Sequence, residues 1–479
     1  EFGNISYYRL NQDKTQALPI NLPKPLLDTL QTSYQFDWKS HSLTYLGIKI
    51  APTISATSQL NYKPLITLCK AEMNRWKHAK ISWLGRINTY KMMILPRILY
   101  IFRMIPLGIT LQFCKALQKL CSAYIWSGKR PRVSLALLQT APRHGGVGLP
   151  NLRQYHRAAI LSTGILLHAT PGTLQWVDME RAQFASMSLT DYLWTPRKFR
   201  IKRTDLFPTT QLTISIWDTF METIGHKDTL HTKSPLSVLR TIVPNIPLKD
   251  WNAAGVATIS QLLDAKGVLP FPILQTKWQL PNRAIFSYLQ LKSVIQTHTP
   301  PIHPTPTATR LASHLLLDRC WVAPTKPKAL TLCYKAWQEL STPTSHPYKL
   351  HWETDCGTAL TDYDWLRALN GLSKWTKCYT HIEAHKKLLY HWYMTPQRLH
   401  RIYPNTPNTC WRCNATAGTL EHLWWSCGSI QPLWTAVSQT LDQLHIPKFQ
   451  LSKKSCLLLL LPTNLTLIQK QIAALTILA

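Results

Sequence analysis

Near the C-terminal end, three cysteines and a histidine stand at spacings that suit metal chemistry. Cys410-Trp411-Arg412-Cys413, His422 and Cys427 give the pattern Cys-x2-Cys-x8-His-x4-Cys. Three thiolates and an imidazole form the closed tetrahedral set of a structural Zn²⁺ site, and the short first spacing lets one turn present two sulfurs to one ion. No coordination position is left open, so the metal is expected to hold structure and not to catalyse. A chance pair of buried thiols would not explain the order of the ligands. Gly418-Thr419-Leu420 supplies a turn between the ligand pairs. Trp424 and Trp425 beside His422 could stack on bases or form a lid over the metal core.

Other residues of reactive type read more plainly. Asp355, Asp362 and Asp364 lie near Gly357 and Thr358 without the remaining ligands of a metal-dependent nuclease, and suit a capped helix start. His298 and His303 belong to the Pro-rich stretch around Thr299 to Pro306, a linker with no cysteine or carboxylate at matching spacing. Arg143-His144-Gly145-Gly146-Val147-Gly148 is not followed by Lys-Ser/Thr, so it reads as a turn and not as a nucleotide loop.

The charge balance narrows the function classes. Lys and Arg number 54 against 23 Asp and Glu, a net charge of +31, which favours a polyanionic partner over an acidic small molecule. Between Leu60 and Arg157 there are 17 basic residues and one acid, Glu72. A basic run is often only a solvated face, but the near absence of compensating acids here points to nucleic acid. Lys129-Arg130-Pro131-Arg132 and the Arg143 loop are expected to touch phosphates.

The elements that must position these groups show as changes of period. Ser42 to Ile50 alternates apolar and polar residues around Gly47, as a half-buried strand would. From Leu60, the residues Leu65, Leu68, Cys69, Met73 and Trp76 fall at helical spacing. A second helix is expected from Trp83 to Tyr100, kinked or ended by Pro96, and a third over Phe113 to Tyr124, closed by Ser127-Gly128. Together they predict a three-helix bundle. The chain starts Glu1-Phe2-Gly3 and stops inside the apolar run Leu475 to Ala479, so both ends are expected to be cut. Cys456 to Leu461, closed by Pro462, is far below the roughly 20 residues of a membrane span. No membrane partner is expected. Eleven cysteines, only three at ligand-like spacing, argue against a disulfide framework and for an intracellular protein.

Taken in order, the motifs resemble the reverse transcriptase of LINE-type non-LTR retrotransposons. Leu10-Asn11-Gln12-Asp13-Lys14-Thr15 is similar to a segment near the end of that family's palm, and Tyr45-Leu46-Gly47-Ile48 to the primer-grip strand after it. Ser82-Trp83-Leu84-Gly85-Arg86-Ile87-Asn88, with Lys91-Met92 and Ile94-Leu95-Pro96, resembles the thumb signature and is the most specific match. Tyr124-Ile125-Trp126-Ser127-Gly128-Lys129-Arg130-Pro131-Arg132 and Gly145-Gly146-Val147-Gly148-Leu149-Pro150-Asn151 follow. Trp392-Tyr393-Met394-Thr395-Pro396-Gln397-Arg398-Leu399, the cysteine cluster and Gln431-Pro432-Leu433-Trp434 complete the order.

The resemblance implies a mainly α fold with a small α+β remnant. Residues 1–58 would end the palm, 59–157 form the thumb, 158–390 a helical connecting region with Pro-rich linkers, and 391–479 a zinc-knuckle domain. Asn11 and Lys14 would lie near the nucleotide, and Tyr45, Leu46 and Gly47 in the primer grip. Lys77, Lys80, Arg86, Lys91, Lys129, Arg130, Arg132 and Arg143 would meet nucleic acid. The implied partners are RNA, RNA–DNA duplex and target DNA, in cytoplasm and nucleus as a ribonucleoprotein. Reverse transcription needs carboxylates that hold two metal ions, and the family carries them on paired aspartates. No Asp-Asp pair occurs in this chain. Mg²⁺ therefore belongs to the intact polymerase, and this part is expected to bind without catalysing. A stand-alone nucleic-acid-binding zinc protein, derived from a decayed element, is the other reading.

Overall fold

In a computed structural model of the chain, Ile5 and residues 11–184, 187–300, 311–341 and 347–478 are described. Leu10 of the first motif and residues 301–306 of the expected linker lie outside them. The protein is mainly helical, with three two-stranded sheets among the described residues. Its packing falls into two units. The first comprises Glu1–Lys80, Asn88–Tyr124 and Asn151–Ser341, and the second Ile81–Ile87, Ile125–Pro150 and Thr342–Ala479. The stretch 59–157 thus contributes to both.

In the first unit, the segment expected as one strand is a hairpin. Leu43–Tyr45 pairs antiparallel with Ile48–Ile50, with Tyr45 opposite Ile48. Leu46 and Gly47 take positive φ, 48° and 78°, which reverses the chain in two residues. The apolar positions shift phase at the reversal, from Leu43 and Tyr45 to Leu46, Ile48 and Ile50, and that shift beside Gly47 is the trace the turn leaves in the sequence. The following helix, Ile54–Lys77, starts earlier than its apolar stripe because Thr53 caps it, its hydroxyl accepting from Ala56 N–H at 3.2 Å. Leu65, Cys69 and Met73 are buried as expected, but Leu68, expected in the same stripe, is exposed and Trp76 is half-buried. Trp83–Thr89 leads through a π turn, Tyr90–Ile94, into Leu95–Met104. Pro96 lies in the first turn after that π turn, where it lacks no needed donor, so it breaks the regular ladder without ending the helical path.

Tyr62 gathers the helices here. Its ring meets Phe102 and Phe113 at 6.3 and 5.4 Å, and its hydroxyl donates to Ile105 O at 2.7 Å. Phe113 comes from Leu111–Ile125, which ends where Ser127 and Gly128 take positive φ. The helix Leu152–Leu166 is the axis of this unit, packed by Leu95–Met104, Pro208–Thr223, Leu311–Val322 and Ala329–Leu340. Small residues let neighbours approach: a Cβ on Gly164 would meet the Trp217 ring at 3.4 Å. Tyr155 stacks on Tyr334 at 3.6 Å, and Arg157 lies over Trp337.

The second unit has its own core. Trp352, Trp365, Leu369, Leu389, Ala473 and Ala474 are buried in it. Cys456 to Leu459 and Leu461 are buried as well, so the apolar run seen in the sequence is interior. Trp352 Nε1 donates to Leu389 O, and Arg367 Nη2 to Leu461 O. Trp83, Trp126 and Trp392 form a triad with ring centroids 5.1 to 6.1 Å apart, and Lys387 lies over Trp392. Tyr390, also buried, donates to Gly145 O at 2.7 Å.

Candidate metal centre and basic residues

The metal-ligand residues are presented by a short bridge and a π turn. Thr409 pairs with Ala417, and Cys410 N–H donates to Thr416 O at 2.8 Å, closing a loop that carries Cys410 and Cys413. Asn414 takes positive φ at its tip. Gly418 is required at the loop's exit, because a Cβ there would fall 2.5 Å from Pro396. His422 opens the π turn His422–Ser426, which ends at Cys427. The ligand atoms of Cys410, Cys413, His422 and Cys427 all lie within 4.8 Å of one another.

The distances suit a divalent ion. Cys410 Sγ is 3.9 Å from Cys427 Sγ, and Cys413 Sγ is 3.3 Å from His422 Nε2. A tetrahedron with bonds of roughly 2.3 Å to sulfur and 2.0 to 2.1 Å to nitrogen has edges of about 3.5 to 3.8 Å. The set could therefore bind a metal ion and is compatible with zinc. His422 Nδ1 is 3.3 Å from Ser426 Oγ, which donates to Glu421 at 2.9 Å. That chain orients the ring as outer partners of metal-binding histidines do. The Ala415 N–H, directed at its sulfur, holds the Cys413 thiol below its usual range. Burial opposes ionisation of Cys410, but N–H donation from Cys413 and Arg412 outweighs it. Cys427 is pushed up by burial.

The aromatic neighbours divide. Trp424 and Trp425 are half-buried against Tyr393 and Trp434, and Trp424 O accepts from Trp434 Nε1 at 3.0 Å, which makes them packing. Trp411, between two ligand cysteines, is 62% exposed. Sequence reasoning passed it over, although its place inside the Cys-x2-Cys turn leaves its side chain nothing to pack on.

The basic residues are placed unequally. Lys77, Lys80, Lys129 and Arg130 are exposed, and Arg132 is half-buried. Arg86, expected to meet nucleic acid, is only 8% exposed and engaged inside the fold, so it is not offered to a ligand as those lysines are. Lys91 is half-buried, and burial lowers its pKa. The side chain of Arg143 lies outside the described atoms. The backbone of its loop is spent internally: Gly146 donates to Ala141 O and Gly148 to Thr140 O, which leaves a turn and not a phosphate nest. Asn11 and Lys14 are exposed on a 3-10 turn, where Lys14 N–H donates to Asn11 Oδ1 at 3.1 Å. Tyr45 and Leu46 are exposed at the hairpin tip beside Gly47, and Tyr100 donates to Leu46 O. Asp362 and Asp364 open the helix Asp362–Trp375, capped by Thr361 as expected, whereas Asp355 lies in the preceding helix, Pro347–Cys356. No helix among the described residues is long and apolar enough to cross a membrane. No protein-family model matches the chain.

Proposed function

We propose that this chain is a nucleic-acid-binding part of a LINE-type reverse transcriptase, holding template–primer and element RNA for target-primed reverse transcription. The ordered string of motifs carries the reading, above all Ser82-Trp83-Leu84-Gly85-Arg86-Ile87-Asn88 followed by Lys91-Met92 and Ile94-Leu95-Pro96. The 17 basic residues against one acid between Leu60 and Arg157 support it, since such an excess suits a phosphate backbone. The proposed ion at Cys410, Cys413, His422 and Cys427 is Zn²⁺, in a structural role. Mg²⁺ would serve the paired aspartates of the intact polymerase.

Purified protein should retain an RNA–DNA hybrid at low salt, yet fail to extend its primer when Mg²⁺ and nucleotides are supplied. Template-dependent synthesis by clean protein would overturn the non-catalytic role, and failure to retain the hybrid would overturn the binding. Metal analysis should find one zinc per chain. Substantially less, with all three thiols freely reactive, would remove zinc from the account.

A further inference from the structure

Within the second unit, four arginines from two distant stretches of sequence share one neighbourhood. Arg130 and Arg132 follow Trp126, and Arg398 and Arg401, both on the helix Pro396–Ile402, follow Trp392. The tryptophan triad clamps Trp126 to Trp392, and the Tyr390 bond to Gly145 O fastens the same two stretches again. The two stretches that carry the arginines are thereby held side by side. Like charge from Arg132, Arg401 and Arg130 acts on Arg398, which burial already disfavours. None of the four has a carboxylate ion-pair partner among the described residues. Arg132 Nη1 is a buried donor with no hydrogen-bond partner. Mutual repulsion and an unmet buried donor cost stability, and a bound anion offsets both.

We propose that Arg130, Arg132, Arg398 and Arg401 form one cradle for consecutive phosphates of a nucleic-acid strand. The inference rests on the nucleic-acid-binding reading and extends it to Arg398 and Arg401, which no basic run in the sequence marks. A lone phosphate ion would leave much of the charge unmatched, whereas a strand brings phosphate after phosphate. Planar guanidinium forks suit such oxygens better than ammonium groups do.

The test is a double-mutant cycle on the full chain with an RNA–DNA hybrid, using Arg130→Gln and Arg401→Gln. Both residues are exposed, so the melting temperature should hold. Each single variant should weaken binding about tenfold, as loss of a charged hydrogen bond does. If the cradle is shared, the double variant should lose well under the roughly hundredfold that independent sites would give. Arg401→Lys should recover only part of the loss. Lys448→Gln, an exposed control in the same unit, should change little. Multiplying effects, or variants no weaker than Lys448→Gln, would overturn the cradle while wild-type binding left the broader reading in place. Wild-type protein that bound no hybrid would overturn both.

Discussion

At the residue scale, the cluster of Cys410, Cys413, His422 and Cys427 was legible because thiolates and imidazole at such spacing have few other uses. Their supporting groups were not: Ser426 reaches His422 Nδ1 and the Glu421 carboxylate only because the π turn folds it back, and a hydroxyl carries no spacing signature. Ser426→Ala should weaken metal binding about tenfold or more, since outer partners tune ligand basicity. Competition against a chromophoric chelator measures this, and equal affinity would show that Ser426 does not orient the ring. His168 makes a second prediction. It is enclosed by Trp194, Trp217 and Trp321, receives Trp194 Nε1–H on Nε2 at 2.8 Å, and has its Nδ1 2.9 Å from Gly164 O. The neutral Nδ1–H tautomer satisfies both contacts. Burial, the largest cause, lowers its pKa from 6.5 to about 4. The unfolded chain therefore binds the proton more readily. The stabilisation is fully present above about pH 6.5 and is lost as pH falls toward 4, on the order of 3 kcal/mol. Urea unfolding of wild type and His168→Gln across that range checks it, and identical acid slopes would contradict it.

At the element scale, periodicity located the helices well and their junctions poorly. Leu65, Cys69 and Met73 are buried while Leu68 of the same expected stripe is exposed, and the stripe could not show that Thr53 would start the helix earlier. The Ser42 to Ile50 stretch reads as one strand because Leu46 carries no turn signature, although it takes positive φ and the apolar positions change phase there. The glycine turn was readable as a turn, while the reason for Gly146 lies in the backbone that folds against it. A Cβ there would fall 2.0 Å from Thr140 O and 2.5 Å from Leu137 O, both backbone atoms that cannot swing aside. Gly146→Ala should destabilise the second unit by on the order of 3 kcal/mol or more. Unchanged thermal melting of the variant would mean that the loop relaxes freely.

At the scale of the whole molecule, the charge excess was legible from composition, but its arrangement was not. The folded chain sets the stretch around Trp392 against the stretch around Trp126 across a separation that no local pattern reports. It also withdraws Arg86 from the surface. The metal loop shares its unit with the helices around Trp352 and Trp365, which have a core of their own. Chelation should therefore loosen the loop from Thr409 to Cys427 first, read as protease cleavage confined to that stretch. Cleavage appearing equally throughout the second unit would show that the metal holds the whole unit.

The central claim, binding to a phosphate backbone through the basic residues, is tested most directly by the affinity for an RNA–DNA hybrid over a series of salt concentrations. With on the order of five phosphates neutralised, log affinity should fall with log salt at a slope of about −4 to −5. Substituting Lys129, Arg130 and Arg132 together should flatten it by about two to three. An affinity indifferent to salt, or a slope unmoved by those substitutions, would contradict the account.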